Sequence, residues 1–478
     1  MPQDRLQLQF LSDGGLDQIE ETAYRLLEEV GLALEHEQAR EMLQGQGCRI
    51  DGDRTYIPRD VVAWALDNVT PDRDGLRRDG SLAFRLGDGQ VRFHNGGGQP
   101  RALDLDTGRS RPATVQDVAE VTRLLDALPN IDHITPLFSP QDVPPQLMMV
   151  ESTAAMLRNT TKPLSSAAID KPEDVPYVVE MAAACCGGME AFRQHPNMTI
   201  SVSPVSPLTF GRDVTGAIIA VVQSGAPFHS LPAPTLGATG PVTMAGGLAQ
   251  QHAEILASFV IAAAARPGAP VGYCSRISPI DLRTALTAWG SPEVGMTAAC
   301  AGQLAHRLGF PCDAYGLASQ SLLLDPQHAY ERLSNALVPA LAGVDMLSGA
   351  GNGGGLNAGF EISVIDDEII GMIKQIVAGV PVNDVTLAYD VMAEVIPGDG
   401  VFLGEMHTVR QMRRGALWMP SVSTRGEGEQ EAAVGVVQRA QVRAREILES
   451  HEVDALPEEA SRHLDEVQAR ARRELVGD

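Results

Sequence analysis

The sequence predicts an α/β protein: a (β/α)₈ TIM barrel with an N-terminal helical and β-hairpin extension and a C-terminal helical tail. Three observations carry that expectation. Eight short apolar, β-rich runs recur in order: VRFH (91–94), HITPLF (133–138), PLSSAAI (163–169), MTISVS (198–203), PFHSL (227–231), PVGYC (270–274), PCDAYG (311–316) and VDMLS (344–348). Helical patterns lie between most of them, as in VQDVAEVTRLLDAL (115–128) and GGLAQQHAEILASFVIAAAA (246–265). Strands that are apolar throughout and alternate with helices belong to a parallel sheet buried on both faces. Eight such units over roughly 290 residues suit a barrel, whose usual size is about 250 residues. A doubly wound sheet is the alternative.

The remaining elements follow in chain order. Residues 1–80 read as a cap of short amphipathic helices: LDQIEETAYRLLEEV (16–30), HEQAREMLQ (36–44) and PRDVVAWALDNV (58–69). Pro58 stands near the first turn of the third, where its missing N–H costs little. Between the helices, CRIDGDRTYI turns at Asp51-Gly52 as a hairpin. Further short strands are expected over 82–106. The barrel is placed at 81–380. Beyond it the repeat stops, and 381–478 reads as a helical extension ending in two charged helices near 427–450 and 457–475, whose alternating charges mark solvated faces.

Bulk properties exclude several classes. A net charge of −24 opposes nucleic acid or an anionic membrane as partner. The N-terminus MPQDRLQLQF has no basic segment followed by an apolar core, so no signal peptide is expected. Ile255–Ala265 is too short to span a bilayer. Six cysteines without an export signal are expected to be reduced thiols, in a cytoplasmic protein. The adjacent Cys185 and Cys186 lie in a helical run and pack. No metal is expected: the nearest candidate, His252-x-Glu254, lacks the P-C-x-x-C of zinc deaminases.

The stretch GAGNGGG (349–355) needs its own account. Gly349, Gly351 and Gly354 spell G-x-G-x-x-G, the dinucleotide fingerprint. That motif opens a βαβ unit, whereas these glycines follow the eighth strand, and no parallel strand follows the next helix. The acids Asp366-Asp367-Glu368 come too early, and on a helix, for a ribose contact. In a barrel the same loop lies at the C-terminal face, where the loops after strands seven and eight often hold a ligand. PAPTLGATGPVTMAGGLAQ (232–250) is a second long, uncharged loop of this kind. Neither has the GK[ST] of a P-loop.

The stretches LGATGPVTMAGGLAQQHAEILA (236–257), GSPEVGMTAACAGQLAHRLGFP (290–311) and DPQHAYERLSNALVPALAGVDMLSGAG (325–351) resemble the trimethylamine methyltransferase family. So do NAGFEISVIDDEIIGMIKQIVAGVPV (357–382), VFLGEMHT (401–408) and VGLALEHEQAREML (30–43), which together cover nearly the whole chain in order. The resemblance implies a (β/α)₈ barrel that moves a methyl group from a methylated amine to the Co(I) centre of a separate corrinoid protein. Founding members carry pyrrolysine near the segment that looks like ASQSLLL (318–324), and this chain has only standard residues there. It therefore looks like the non-pyrrolysine branch, whose substrates are quaternary amines such as glycine betaine. Val401 stands where the family often has a histidine beside FLG.

The chemistry of such a substrate agrees with the sequence. A quaternary ammonium already carries its charge and leaves as a neutral amine, so it needs positioning and desolvation, not a general acid. Aromatic faces and carboxylates are its natural partners. Phe93, Phe138, Phe228, Tyr273 and Tyr315 lie in or at the ends of predicted strands and are candidates for a cage. His94 and His229 follow aromatics at strand ends, and Arg276 is placed to hold a substrate carboxylate. Gln320 and Ser321 stand in the segment matching the pyrrolysine region and are the catalytic candidates; His407 would reach the mouth from the tail. Gly237, Gly349, Gly351, Asn352 and Gly353 are expected to rim the mouth where the corrinoid docks. A homo-oligomer is expected. A non-catalytic quaternary-amine binder and an NAD or flavin oxidoreductase remain as alternatives.

Overall fold

The computed structural model describes residues 8–426 and 434–477. Its centre is a ring of parallel strands with one helix after each. The strands are β1 (Arg92–Asn95), β2 (133–134), β3 (Leu164–Ser165), β4 (Met198–Val202), β5 (Phe228–Ser230), β6 (Ala269–Ser275), β7 (Cys312–Tyr315) and β8 (Met346–Ala350). Successive strands from β3 to β8 pair in parallel, and β8 pairs with β1. Single parallel bridges, His94 to His133 and Ile134 to Leu164, carry the ring through β2 and close it. The helices are α1 (Val115–Ala127), α2 (Met148–Asn159), α3 (Val175–Cys185), α4 (Arg212–Ser224), α5 (Met244–Ala265), α6 (Pro292–Arg307), α7 (Pro326–Leu341) and α8 (Phe360–Ala378). All eight apolar runs become barrel strands.

Local chemistry accounts for the helix limits. Thr114 and Asp117 form a reciprocal capping box at the start of α1, and Asp325 caps α7. Helix α5 is apolar nearly all round because it is covered on both sides: β5 and β6 lie beneath it, and the cap helices Asp13–Arg25, Glu37–Gly45 and Arg59–Asp67 lie over it. Its length and composition would also fit a membrane span, but 89% of its apolar window is buried here. The cap reaches further than a lid. Val69–Pro71 pairs with the beginning of β6 and delivers Asp72 into the barrel.

The tail behaves in two ways. Helices Val436–Ser450 and Glu458–Leu475 pack on α8 and α1, and on α3 and α2, respectively. The predicted start of the first of them, 427–433, lies outside the described residues. The arm between, residues 380–419, holds only short helices and keeps most of its large apolar side chains exposed. The acids of α8 are structural: Asp366 takes Arg332, Asp367 takes Asn130, and Glu368 takes the N–H groups of 421–423.

Candidate functional site

Side chains alternate across a strand, so each strand residue faces either the barrel axis or the helices. Partners settle which. Ser230 bonds Ser258 on α5, so Phe228 shares its outward face and His229 points inward. Tyr273 donates to or accepts from His252 on α5 at 2.9 Å, so it too faces the helices, and Cys274 faces the axis. Phe93 lies under the Lys374 ammonium of α8. Phe138 is covered by Phe360 at the start of α8. The expectation of a cage therefore needs correction at Phe93, Phe228 and Tyr273, which fill the strand–helix layer, and Phe138 is fully enclosed.

Tyr315 is different. It ends β7 on the inward face, and its ring stands 4.8 Å from that of Trp289, in the loop after β6. Its hydroxyl accepts from Asn352 Nδ2 at 2.9 Å, from the loop after β8. Asn352 is buried, and its Oδ1 has no hydrogen-bond partner among the described residues. A buried carbonyl oxygen beside Tyr315 retains the capacity to accept a further hydrogen bond. Gln320 fixes Trp289 by accepting its backbone N–H, and the Asn335 amide holds the Trp289 carbonyl. Gln320 thus acts here by positioning an aromatic wall. Ser321 bonds Asp325 in the turn before α7.

Below this pair lies a buried polar cluster. Asp313, two residues before Tyr315 on the same face, accepts from Arg276 Nη2 at 2.8 Å and meets His94 Nε2 at 3.2 Å. Burial pushes the Asp313 carboxyl up, but Arg276 and His94 outweigh it and hold it well below the usual range. Arg276, assigned by the sequence to a substrate carboxylate, already holds a carboxylate of its own chain. His229 Nε2 lies 2.7 Å from Asp72, and a ring nitrogen of His229 lies within 4.8 Å of the Cys274 sulfur and of an Asp313 oxygen. The His229 ring occupies the space that a side chain at Gly272 would take. His407 is apart from all of these, bonded to the Val385 carbonyl within the arm.

The glycines of the eighth turn, expected to rim the mouth, are set by the backbone they must adopt. Gly349 (φ +115°) and Gly351 (φ +82°) adopt backbone that L-residues rarely reach. A Cβ on Gly351 would come within 2.7 Å of Ser363 Oγ, and one on Gly354 would meet the Ser321 carbonyl. Gly353 and Gly237 face Ile362 and Ile280 in the same way. The room freed by the missing side chains is taken by the chain itself, and in the eighth turn Gly349, Gly351, Gly353 and Gly354 make a tight turn around Asn352. Trp289, Asp313, Cys274 and Asp72 escaped the sequence reading. The signal available was a charged or sulfur residue within a strand otherwise apolar.

The closed (β/α)₈ ring places the Trp289–Tyr315 pair and the Asn352 carbonyl at its C-terminal mouth, the face that carries the active site in barrel enzymes. The family described as trimethylamine methyltransferase (MTTB) matches residues 3–476. The chain is 30% identical over 459 residues to a protein named trimethylamine methyltransferase MttB of Desulfitobacterium hafniense (strain DSM 10664 / DCB-2), covering 95% of this chain and 92% of that one. It is 29% identical over 460 residues to the glycine betaine methyltransferase of Desulfitobacterium hafniense (strain Y51), covering 95% of each. A third relative, trimethylamine methyltransferase MttB1 of Methanosarcina mazei, is 31% identical over 400 residues, 82% of this chain and 80% of its own. The chain belongs to the trimethylamine methyltransferase family.

Proposed function

We propose that this protein transfers a methyl group from a small quaternary amine of the glycine betaine type to a corrinoid protein docked on the barrel mouth. The observation that carries the reading is the Trp289–Tyr315 pair with the unpaired Asn352 carbonyl beside it. Two aromatic faces and one oxygen suit a cation that has no N–H to donate. The name of the glycine betaine relative supports the same substrate class.

A Co(I) corrinoid borne by a separate protein supplies the nucleophile. The mouth fits such a visitor. Val205, Val242, Leu282, Leu322, Leu323 and Leu356, all exposed, come from the loops after β4, β5, β6, β7 and β8. A ring of apolar groups on the catalytic face is a docking surface for a partner. The residues of this chain hold the ammonium against the paired rings of Trp289 and Tyr315 and exclude water from it. As the carbon–nitrogen bond breaks, its electron pair stays on nitrogen and a neutral tertiary amine departs. No proton need be given, which is why Gln320 and Ser321 serve as positioning groups and not as acids.

The exposed arm 380–419 is part of the same reading: we assign it to contact between copies in a homo-oligomer. The six cysteines, none of them in a disulfide, accord with a cytoplasmic setting. The test is a panel of betaines and trimethylamine, incubated with reduced corrinoid protein and followed by the change in corrinoid absorbance on methylation. Trp289→Ala should cut the rate by about 5- to 30-fold, since a cation–π contact of about 1–2 kcal/mol is lost. If no quaternary amine reacts, or Trp289→Ala reacts at the parent rate, the reading is wrong.

A further inference from the structure

We propose that His229, Cys274 and Asp313 form a binding site on the barrel axis for one divalent transition metal ion of the zinc class. The three come from three neighbouring strands, β5, β6 and β7, and all are buried. One ligand atom from each lies within 4.8 Å of the others. A tetrahedral zinc site with ordinary bond lengths separates such donors by about 3.4–3.6 Å, so closing on an ion needs about 1 Å of side-chain adjustment. Imidazole, thiolate and carboxylate together favour zinc over the hard cations, which prefer all-oxygen shells.

What lies behind the three donors argues most strongly. Asp72 sits 2.7 Å from His229 Nε2 and so fixes the ring, leaving Nδ1 for the ion. That is the carboxylate–histidine–metal arrangement by which proteins orient a ligating imidazole. Asp313 is likewise braced, by His94 on one oxygen and Arg276 on the other. A carboxylate has lone pairs enough to keep both bonds and still ligate. Gly272 leaves the space through which the His229 ring reaches the axis.

Charge also closes. With a dication present, Cys274 and Asp313 are anionic ligands, His229 is neutral, and Asp72 and Arg276 cancel. Three protein ligands leave a fourth position, the pattern of a reactive site and not of a sealed structural one. Tyr315 stands one inward step above Asp313 on β7, about 6.7 Å along the strand. An ion here would offer Lewis-acid binding to an oxygen of a ligand seated against Trp289 and Tyr315. The site itself stands on its donors and holds whichever methylated amine enters the mouth.

The experiment is metal analysis of the full-length protein after chelation and reconstitution with zinc, and Co(II) substitution followed by absorbance. The wild type should retain one equivalent of zinc per chain through gel filtration. Its Co(II) form should show a thiolate-to-cobalt band that Cys274→Ser removes. Asp72→Asn should weaken metal affinity by about 10–100-fold. Circular dichroism on each variant separates a lost site from a lost fold. If folded wild type retains no metal and shows no thiolate band with Co(II), the proposal falls. It falls equally if a folded Cys274→Ser keeps the band.

Discussion

The eighth strand-to-helix turn and the arm at 380–419 invert each other. In the turn, polar groups lie buried and tie three elements together: Arg332, fully enclosed, reaches Asp366, the Leu317 carbonyl and His328 at 2.7–3.2 Å, while Asp366 also accepts from the Gly351 N–H. In the arm, Leu403 is 83% exposed and Ile396 65%. A buried charge persists only where its partners are complete, and an exposed apolar run persists only where something covers it. The first region draws most of its partners from its own chain, although Asp366 Oδ1, His328 Nδ1 and Asn352 Oδ1 have none among the described residues, and the second leaves its apolar groups uncovered.

The largest expected effect comes from breaking the buried polar region. Arg332→Met should cost about 3–5 kcal/mol in urea unfolding, because Asp366 is left as an uncompensated buried charge. The double variant Arg332→Met/Asp366→Leu should recover most of that loss, since a matched apolar pair often replaces a buried ion pair at little cost. A double variant as unstable as the single one would show that the turn depends on the hydrogen bonds themselves.

A smaller effect follows from pH. His328 Nε2 accepts from Arg332 Nε, so the imidazole must be neutral there. Burial, helped by the Arg332 charge, lowers its pKa to about 3. The folded value lies below the unfolded one, so the unfolded chain binds the extra proton first. The stability from this group is complete above about pH 6.5 and is lost as pH falls toward 3, at up to about 1.4 kcal/mol per unit. His328→Gln keeps an acceptor without the titration. Its stability should fall less than the parent's between pH 7 and pH 5, measured by urea unfolding. Parallel losses would remove His328 from the acid response.

How far the sequence foretold these regions depends on the kind of information. The eight strands were legible because a parallel strand buried on both faces is an unbroken apolar run. The same property hid their orientation: Phe228 and His229, or Tyr273 and Cys274, are equally buried, and only a partner such as Ser258 or Asp72 says which faces the axis. Tyr315 and Asn352 were both singled out from the sequence, and the structure joins them by a hydrogen bond. Trp289 was missed because it stands in a loop with no periodicity. His229, Cys274 and Asp313 lie far apart in the chain, so no spacing rule joins them. The glycines announced a tight turn, but what filled their missing side chains was a matter of packing.

The smallest expected effect on stability concerns the arm, and it separates the two regions most sharply. Leu403→Asp and Ile396→Asp alter side chains that already face water in the single chain. Their effect on unfolding of that chain should stay within about 0.5 kcal/mol. If the arm is covered by a second copy, however, each substitution places a charge in an apolar contact, and burying it unpaired is costly. Light scattering should then report a fall in assembly mass for both variants, at protein concentrations where the parent is fully assembled. The substitutions lie outside the mouth, so a subunit released in this way should still bind a quaternary amine against Trp289 and Tyr315. Unchanged mass in both variants would mean that the arm's apolar groups are covered by something other than a second copy, and the homo-oligomer assignment would be withdrawn.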